Sequence, residues 1–530
     1  MADKYNISEF NLAETQGFQS DLAPTVRGQP SHFVNLENYY FESSNSIRKF
    51  GGESSINATQ ISGTPNVTGM FDFHRAGTAG SFTQTFISMT SDGKLWSESA
   101  GVLTDITGAM VFTADAMPFM FQARDALIIL TDVNDTVATH TTGNATALGG
   151  SPPAGRGGVF HQNRPWIYSA NATPSRITYG SSTAINDYTG ADTGTIDIDP
   201  EDGDRIIGAI PYKNNLAVFK GPNKGSIHII GGRTPSTFTR DILIRGEPLQ
   251  SPNDLISVGD DVWFRSADGI FSLAATERFG NFTQSDVTKN LKGFFKDSIV
   301  RTAANKGFGV NYKLRNCVLF NYTPLGATEM TQILGISYLN AEKFGFRPFK
   351  IVRSCISMAI KVNPTTKVNE VITGSTDGFL NRQDQSTRAL RNGNGYGTTA
   401  TLPFVILGQT NREGKPEGDQ PVQLHRAYIR SKPTGAYNVT MELNRDDFTA
   451  TNYTFDQGIG GSLWGTAIWG TSRFGGGSVQ TRPSKIQGQA RAVQIKLTTP
   501  SNTLDTELFA VGLEHLPIAK TMATNLYTDE

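Results

Sequence analysis

Cysteine is almost missing from this sequence: Cys317 and Cys355 are the only two in 530 residues. Two thiols cannot staple a chain of this length, so they read as reduced core thiols. A charge surplus of either sign is missing too. Lys plus Arg number 47 and Asp plus Glu 48, a formal net charge of -1. Charged residues are 18%, where about 25% is ordinary. Without a positive excess, a basic clamp that neutralises a run of phosphates is excluded. No apolar run approaches the roughly 18 residues that cross a bilayer as a helix. The start, Met1-Ala-Asp-Lys-Tyr-Asn, lacks the basic and apolar stretches of a secretory signal. The triplets Asn57-Ala-Thr and Asn281-Phe-Thr then read as chance matches in a chain made in the cytosol. The runs of a coiled coil are absent, and so is the low-hydrophobicity, high-charge balance of a disordered chain.

The marks of catalysis are scarce as well. The histidines stand at 32, 74, 140, 161, 228, 425 and 515, and no two have the i, i+2 or i, i+4 spacing of a short metal motif. Neither a Gly-x-Ser-x-Gly elbow nor a Walker-type phosphate loop occurs. The one acidic cluster, Ile196-Asp197-Ile-Asp199-Pro-Glu201-Asp202-Gly203-Asp204, is compatible with calcium, but its spacing is not that of an EF loop. An ordinary solvated loop is the simpler reading. The sequence therefore predicts no enzyme, no metal and no cofactor.

Glycine is abundant, at 55 residues, and Phe reaches 32, enough apolar material for a large core. Short apolar or alternating runs, closed by Gly, Asn, Asp and Pro, recur almost throughout. They centre near Phe86, Leu127, Trp166, Leu216, Trp263, Leu319 and Ile360. Their spacing of roughly 35 to 55 residues is that of propeller blades. Asp92-Gly93, Asp268-Gly269 and Asp377-Gly378 each follow a strand and precede an apolar residue. Asp-Gly suits a two-residue hairpin turn, since both residues tolerate positive φ. The fold class expected is all-β: a propeller over 70–392 of about seven blades, a count good to within one. An irregular array of sandwiches is the alternative.

One helix is expected inside the propeller. Ser285-Asp286 can cap it, and Val287, Leu291, Phe294, Phe295 and Ile299 follow at helical spacing. Gly393-Asn-Gly-Tyr-Gly reads as a linker. Beyond it, residues 393–530 alternate cleanly, as in a small antiparallel sandwich. Residues 1–69 read as an N-terminal arm and a closing strand. Aromatic candidates for contacts between subunits are Tyr39, Tyr40, Trp464 and Trp469. The two tryptophans lie in a Gly-rich stretch and could equally fold back under their own loop.

Three segments together resemble a known family. They are Ser46-Ile-Arg48-Lys49-Phe50-Gly51-Gly52, Gly158-Val-Phe-His-Gln-Asn163-Arg164-Pro-Trp166 with Ile177-Thr-Tyr, and Ile206 to Phe219 closing on Ser226-Ile-His-Ile-Ile-Gly231-Gly232. They resemble the tail nozzle (hub) proteins of short-tailed bacteriophages, which include packaged-DNA stabilisation proteins and tail tubular proteins of the B type. The helix from Ser285 and the β C-terminal domain fall in the same order. The resemblance is one of strand and turn pattern, and the stretch from Trp464 to Gly477 has no counterpart in it.

The resemblance implies a structural virion protein, assembled in the host cytoplasm. It implies a homo-oligomeric ring, usually a hexamer, below portal and adaptor. Further partners implied are tail fibre or tailspike proteins and a needle, with no membrane span. Genomic DNA would pass through the ring without sequence-specific binding. A neutral, charge-poor lumen suits such a passage, because each phosphate contact adds affinity and slows release. Alternatives are a receptor- or glycan-binding propeller of the tailspike kind, expected as a trimer, and a glycan-active hydrolase.

Overall fold

Short strands become hairpins here where a glycine can take left-handed backbone. Gly93 (φ +76) and Gly378 (φ +75) close three-residue turns in which Thr90 N donates to Lys94 O and Ser375 N to Phe379 O, both at 3.0 Å. In the third Asp-Gly turn Ser266 N donates to Gly269 O at 2.8 Å, so Ala267 and Asp268 are its central pair. The expected two-residue Asp-Gly turn is thus corrected. Where the glycine is left-handed the aspartate precedes it and receives a hydroxyl: Thr90 Oγ1 donates to Asp92 at 2.6 Å, and Ser375 Oγ donates to Asp377. All three turns join the second and third strands of a blade.

The computed structural model describes the chain except residues 1–4, 24, 28, 77–81, 133–134, 408–420, 433–436, 447–449, 458–478 and 518–530. Blade 1 runs from strand Val67–Ala76 to Val102–Asp105, blade 2 from Pro118–Ala123 to Thr146–Ala147, and blade 3 from Gly157–His161 to Gly194–Asp197. Blade 4 runs from Arg205–Tyr212 to Thr239–Arg245, and blade 5 has three strands from Leu255–Val258 to Ile270–Ser272. Blade 6 runs from Gly309–Tyr312 to Arg347–Val352. Blade 7 has Ser357–Val362, Asn369–Gly374 and Leu380–Gln385, and takes its outer strand from the N-terminal region, Gly52–Ser55.

The first strand of each blade packs beside that of the next, and Ser357–Val362 returns to Val67–Ala76 to close the circle. Six blades are sheets of their own; blade 6 is one end of an 11-stranded sheet. The all-β propeller expected from the repeat is present, within the one-blade margin. Its cores lie between blades: Phe73, Leu95 and Leu127 between blades 1 and 2, and Trp166, Ile177 and Leu216 between 3 and 4. Cys317 and Cys355 are both free and fully buried, and burial pushes both thiols up.

The helix expected from Ser285 is shorter and starts later. Helix α1 (Leu273–Phe279), which went unpredicted, precedes it, N-capped by Ser272 and ended by left-handed Gly280. Ser285–Val287 then pairs with the last strand of blade 5, Val287 N donating to Ile270 O at 2.9 Å. Only Lys292–Asp297 is helical (α2). Val287, Leu291, Phe294 and Phe295 are all buried, so the spacing marked a buried face rather than one continuous helix. Asp21 accepts from Lys292 N and Gly293 N, at 2.5 and 2.8 Å, and so caps α2 from far up the chain.

The C-terminal region is built on two sheets. In one, Val422–Lys432 and Glu507–Pro517 pair with each other, and the N-terminal strands β1 (Asn6–Asn11), β4 (Tyr39–Glu42) and β5 (Ser46–Lys49) join them; β2 (Thr25–Arg27) and β3 (Asn35–Glu37) belong to the other. That second sheet continues blade 6: Arg347–Val352 meets β3, then Tyr396–Thr401, then Ala492–Asn502. Alternating burial along Ala492–Asn502 puts Val493, Ile495 and Leu497 into the shared core.

Candidate functional site

The segment Ser46–Gly52 is where the chain leaves the C-terminal sheets and enters the propeller, passing from β5 into the outer strand of blade 7. Two glycines make the crossing feasible. A Cβ on Gly51 would lie 2.2 Å from the Asp384 carbonyl carbon, and one on Gly52 2.3 Å from the Ala389 carbonyl oxygen. Backbone runs against backbone, with no room for a side chain.

Charges lock the crossing. Arg48 places Nε and Nη2 on Asp505 Oδ2, at 2.8 and 2.5 Å, and Arg388 Nε donates to Asp505 Oδ1 at 3.1 Å. Arg315 Nε and the Tyr312 hydroxyl both donate to Asp384 Oδ2, at 2.7 and 2.8 Å, and Gly51 N donates to Asp384 Oδ1 at 3.0 Å. Tyr40 donates to Glu42 Oε2 at 2.6 Å, while Arg48 and Arg315 lie 3.5 and 3.4 Å from that oxygen. Lys49 and Arg353 both stack on Tyr396, at 4.3 and 3.9 Å from the ring centre. Arg353 Nε lies 3.5 Å from Glu53, and Ser46 donates to Glu507 at 2.8 Å. Arg48, Lys49, Arg315, Arg353 and Arg388 therefore face Glu42, Glu53, Asp384, Asp505 and Glu507.

Burial pushes against ionisation of Asp505, but the hydrogen bonds from Arg48 and Arg388 outweigh it and hold its carboxyl below the ordinary range. Lys49 is moved down to about 8, first by burial and then by Arg353 and Arg388. A balanced, hydrogen-bonded network of this kind fixes the angle between two bodies.

Tyr39 and Tyr40 lie inside this region, 0% and 2% exposed, and their rings pack within the chain itself. Trp464 and Trp469 lie outside the described residues. Four of the five carboxylates of the acidic loop are engaged by their own neighbours. Asp197 receives Arg176, Asp199 receives Arg240 and Arg245, and Asp204 accepts three backbone N–H groups from Asn223 to Gly225. Fully buried Lys220 donates to Asp202 at 2.6 Å and to two carbonyls of the same loop. Among the described residues no group of three His, Cys, Asp or Glu could hold a metal.

One contact joins two blades that are not neighbours in the circle. Asn253, leading into blade 5, donates to the Pro118 carbonyl of blade 2 at 3.5 Å. Nearby, blade 5's Asp254 and Arg265 form a buried pair at 2.8 Å, where burial pushes the Asp254 carboxyl up to about 6 despite Arg265.

No family model and no curated protein matches this chain. Solved structures similar to it are propeller-like in outline only. The designed protein Ika8 is 12% identical, with 62% of this chain and 99% of that one covered at a TM-score of 0.35. BamB from Moraxella catarrhalis is 13% identical, covering 64% and 91% at 0.34. An exo-beta-1,3-galactanase from Phanerochaete chrysosporium is 10% identical, covering 86% and 100% at 0.27. At these values they carry no activity or ligand over to this chain, whose propeller is established by its own sheet order.

Proposed function

We propose that this chain is a structural subunit of a ring-shaped tail nozzle in a short-tailed bacteriophage, retaining packaged DNA and conducting it on ejection. The observation that supports this most is the joint at Ser46–Gly52. One of the three segments that carry the resemblance, Ser46–Gly52, runs through the joint between propeller and C-terminal sheets. A ring wall loaded by confined DNA needs subunits that do not flex at such a joint. A shared 11-stranded sheet and a ten-member charge network give that stiffness.

The path of DNA in this reading is the lumen between subunits. The net charge of -1 favours passage over retention on the wall. Closure into a ring uses a heterologous interface, one patch on each side of the subunit. Adaptor, tail fibre or tailspike, and needle proteins are the partners of such a ring.

Negative-stain images of the purified chain, alone and with a portal–adaptor complex, test the reading. A six-fold or twelve-fold ring with a central hole is expected. A trimer, as expected of a tailspike-like receptor-binding propeller, or a monomer under both conditions, overturns it.

A further inference from the structure

The propeller closes at the seam between blades 1 and 7, and a cavity of about 720 Å³ opens there. Its floor is fixed from both blades. Val362 N donates to Asp72 Oδ2 at 2.8 Å, Gln84 Nε2 donates to the Val362 carbonyl at 2.6 Å, and Lys361 pairs with Glu98. A floor held this way is pre-formed, as ligand sites usually are.

The lining combines an exposed aromatic ring with cationic side chains. Phe82 stands on the rim 79% exposed, an unusual position for a large ring without a partner. Lys361, Lys367 and Arg382 line the cavity with Glu98 and Glu370, while Asp72 beneath them is held by His74, Gln84 and Val362 N. Arg382 is engaged by Glu370 at 2.8 Å, whereas the exposed Lys367 ammonium has no partner among the described residues. The hydroxyls of Thr83, Ser99 and Thr365 belong to the same wall.

An aromatic face, scattered hydroxyls and one unpaired cation suit a sugar ring that carries a carboxylate. A phosphate is suited less well, because phosphate cradles are built from free backbone N–H groups. Here Gly101 N donates to Glu98 at 2.9 Å, and Thr365 N and Thr366 N donate to Asn363 at 2.9 and 3.0 Å. We propose that the seam cavity binds an acidic monosaccharide unit, its ring on Phe82 and its carboxylate on Lys367. The cavity belongs to one chain, so the proposal does not depend on ring assembly.

The test is titration of the full-length protein with D-glucuronate, glucose and glucose 6-phosphate, followed by calorimetry and ligand-observed NMR. Glucuronate is expected to bind with a dissociation constant on the order of millimolar, and glucose about tenfold more weakly. Phe82→Ala and Lys367→Glu, both at exposed positions, should each weaken glucuronate about tenfold without lowering Tm. No binding of glucuronate overturns the proposal. So does equal binding of glucose, tighter binding of glucose 6-phosphate, or wild-type affinity in both variants.

Discussion

Arg48 and Asp505, 457 positions apart, meet through two N–H donors on one carboxylate oxygen, at 2.8 and 2.5 Å. Arg388 holds the other oxygen of the same carboxylate. Asp505→Ala strands two guanidinium groups, and the network that joins the two bodies opens. Arg48 keeps a third of its side-chain surface in water, which softens the loss. A destabilisation of about 2 kcal/mol is expected, read as a lower urea midpoint. A midpoint equal to wild type contradicts a structural role for the pair.

The glycines at the crossing give a sharper test. Gly51→Ala drives a methyl into the Asp384 backbone, 2.2 Å from its carbonyl carbon. A loss of about 3 kcal/mol or more is expected. Gly143→Ala meets open space and only the strain of a left-handed φ of +67, so about 1 kcal/mol is expected. Equal losses in the two variants contradict the close approach.

Five histidines, His32, His140, His161, His228 and His515, are held below their ordinary pKa by burial, His228 down to about 4. Such groups stay neutral in the fold while the unfolded chain protonates. Their stabilisation is present above pH 6.5 and is lost as pH falls towards the folded value. Asp254 works in the opposite sense: raised to about 6, it favours the fold most below pH 3.8 and least above 6. The wild-type curve mixes the two, so the informative quantity is its difference from His228→Gln. Between pH 7 and pH 4 the wild type should lose about 3 kcal/mol relative to that variant. Parallel curves contradict the assignment.

Lys220 is fully enclosed and its ammonium has four acceptors, Ser175, Ile198, Asp199 and Asp202. Lys220→Met leaves the turn at Asp199–Asp202 without its cation, at a cost of about 3 kcal/mol. Because four of the loop's five carboxylates, Asp197, Asp199, Asp202 and Asp204, are already engaged, calcium and EDTA should leave Tm unchanged. A rise of several degrees with calcium contradicts that pairing.

The repeat of strand, turn and strand was legible because hairpins are local: Asp92-Gly93 and Asp377-Gly378 mark their turns wherever the rest of the chain goes. The helix was misread because Val287, Leu291 and Phe294 recur at a spacing that burial alone can produce. Helix α1 was missed although Ser272 and Gly280 carry both cap signals; its seven residues are too few for a periodic pattern. Of the joint, only Arg48, Lys49 and the two glycines stood out in the sequence. Asp384, Asp505 and Arg315 are isolated charges, and nothing local says that a fold will bring them together. Tyr39 and Tyr40 illustrate the same limit, since an aromatic pair in a polar stretch looks like a contact surface until a distant strand covers it.

We propose that this two-part subunit closes into a ring around a DNA path. Negative-stain class averages of the full chain, recorded alone and beside a portal–adaptor complex, test it most directly. Six-fold or twelve-fold rings with an open centre are expected. Monomers or trimers with no ring under either condition would contradict it.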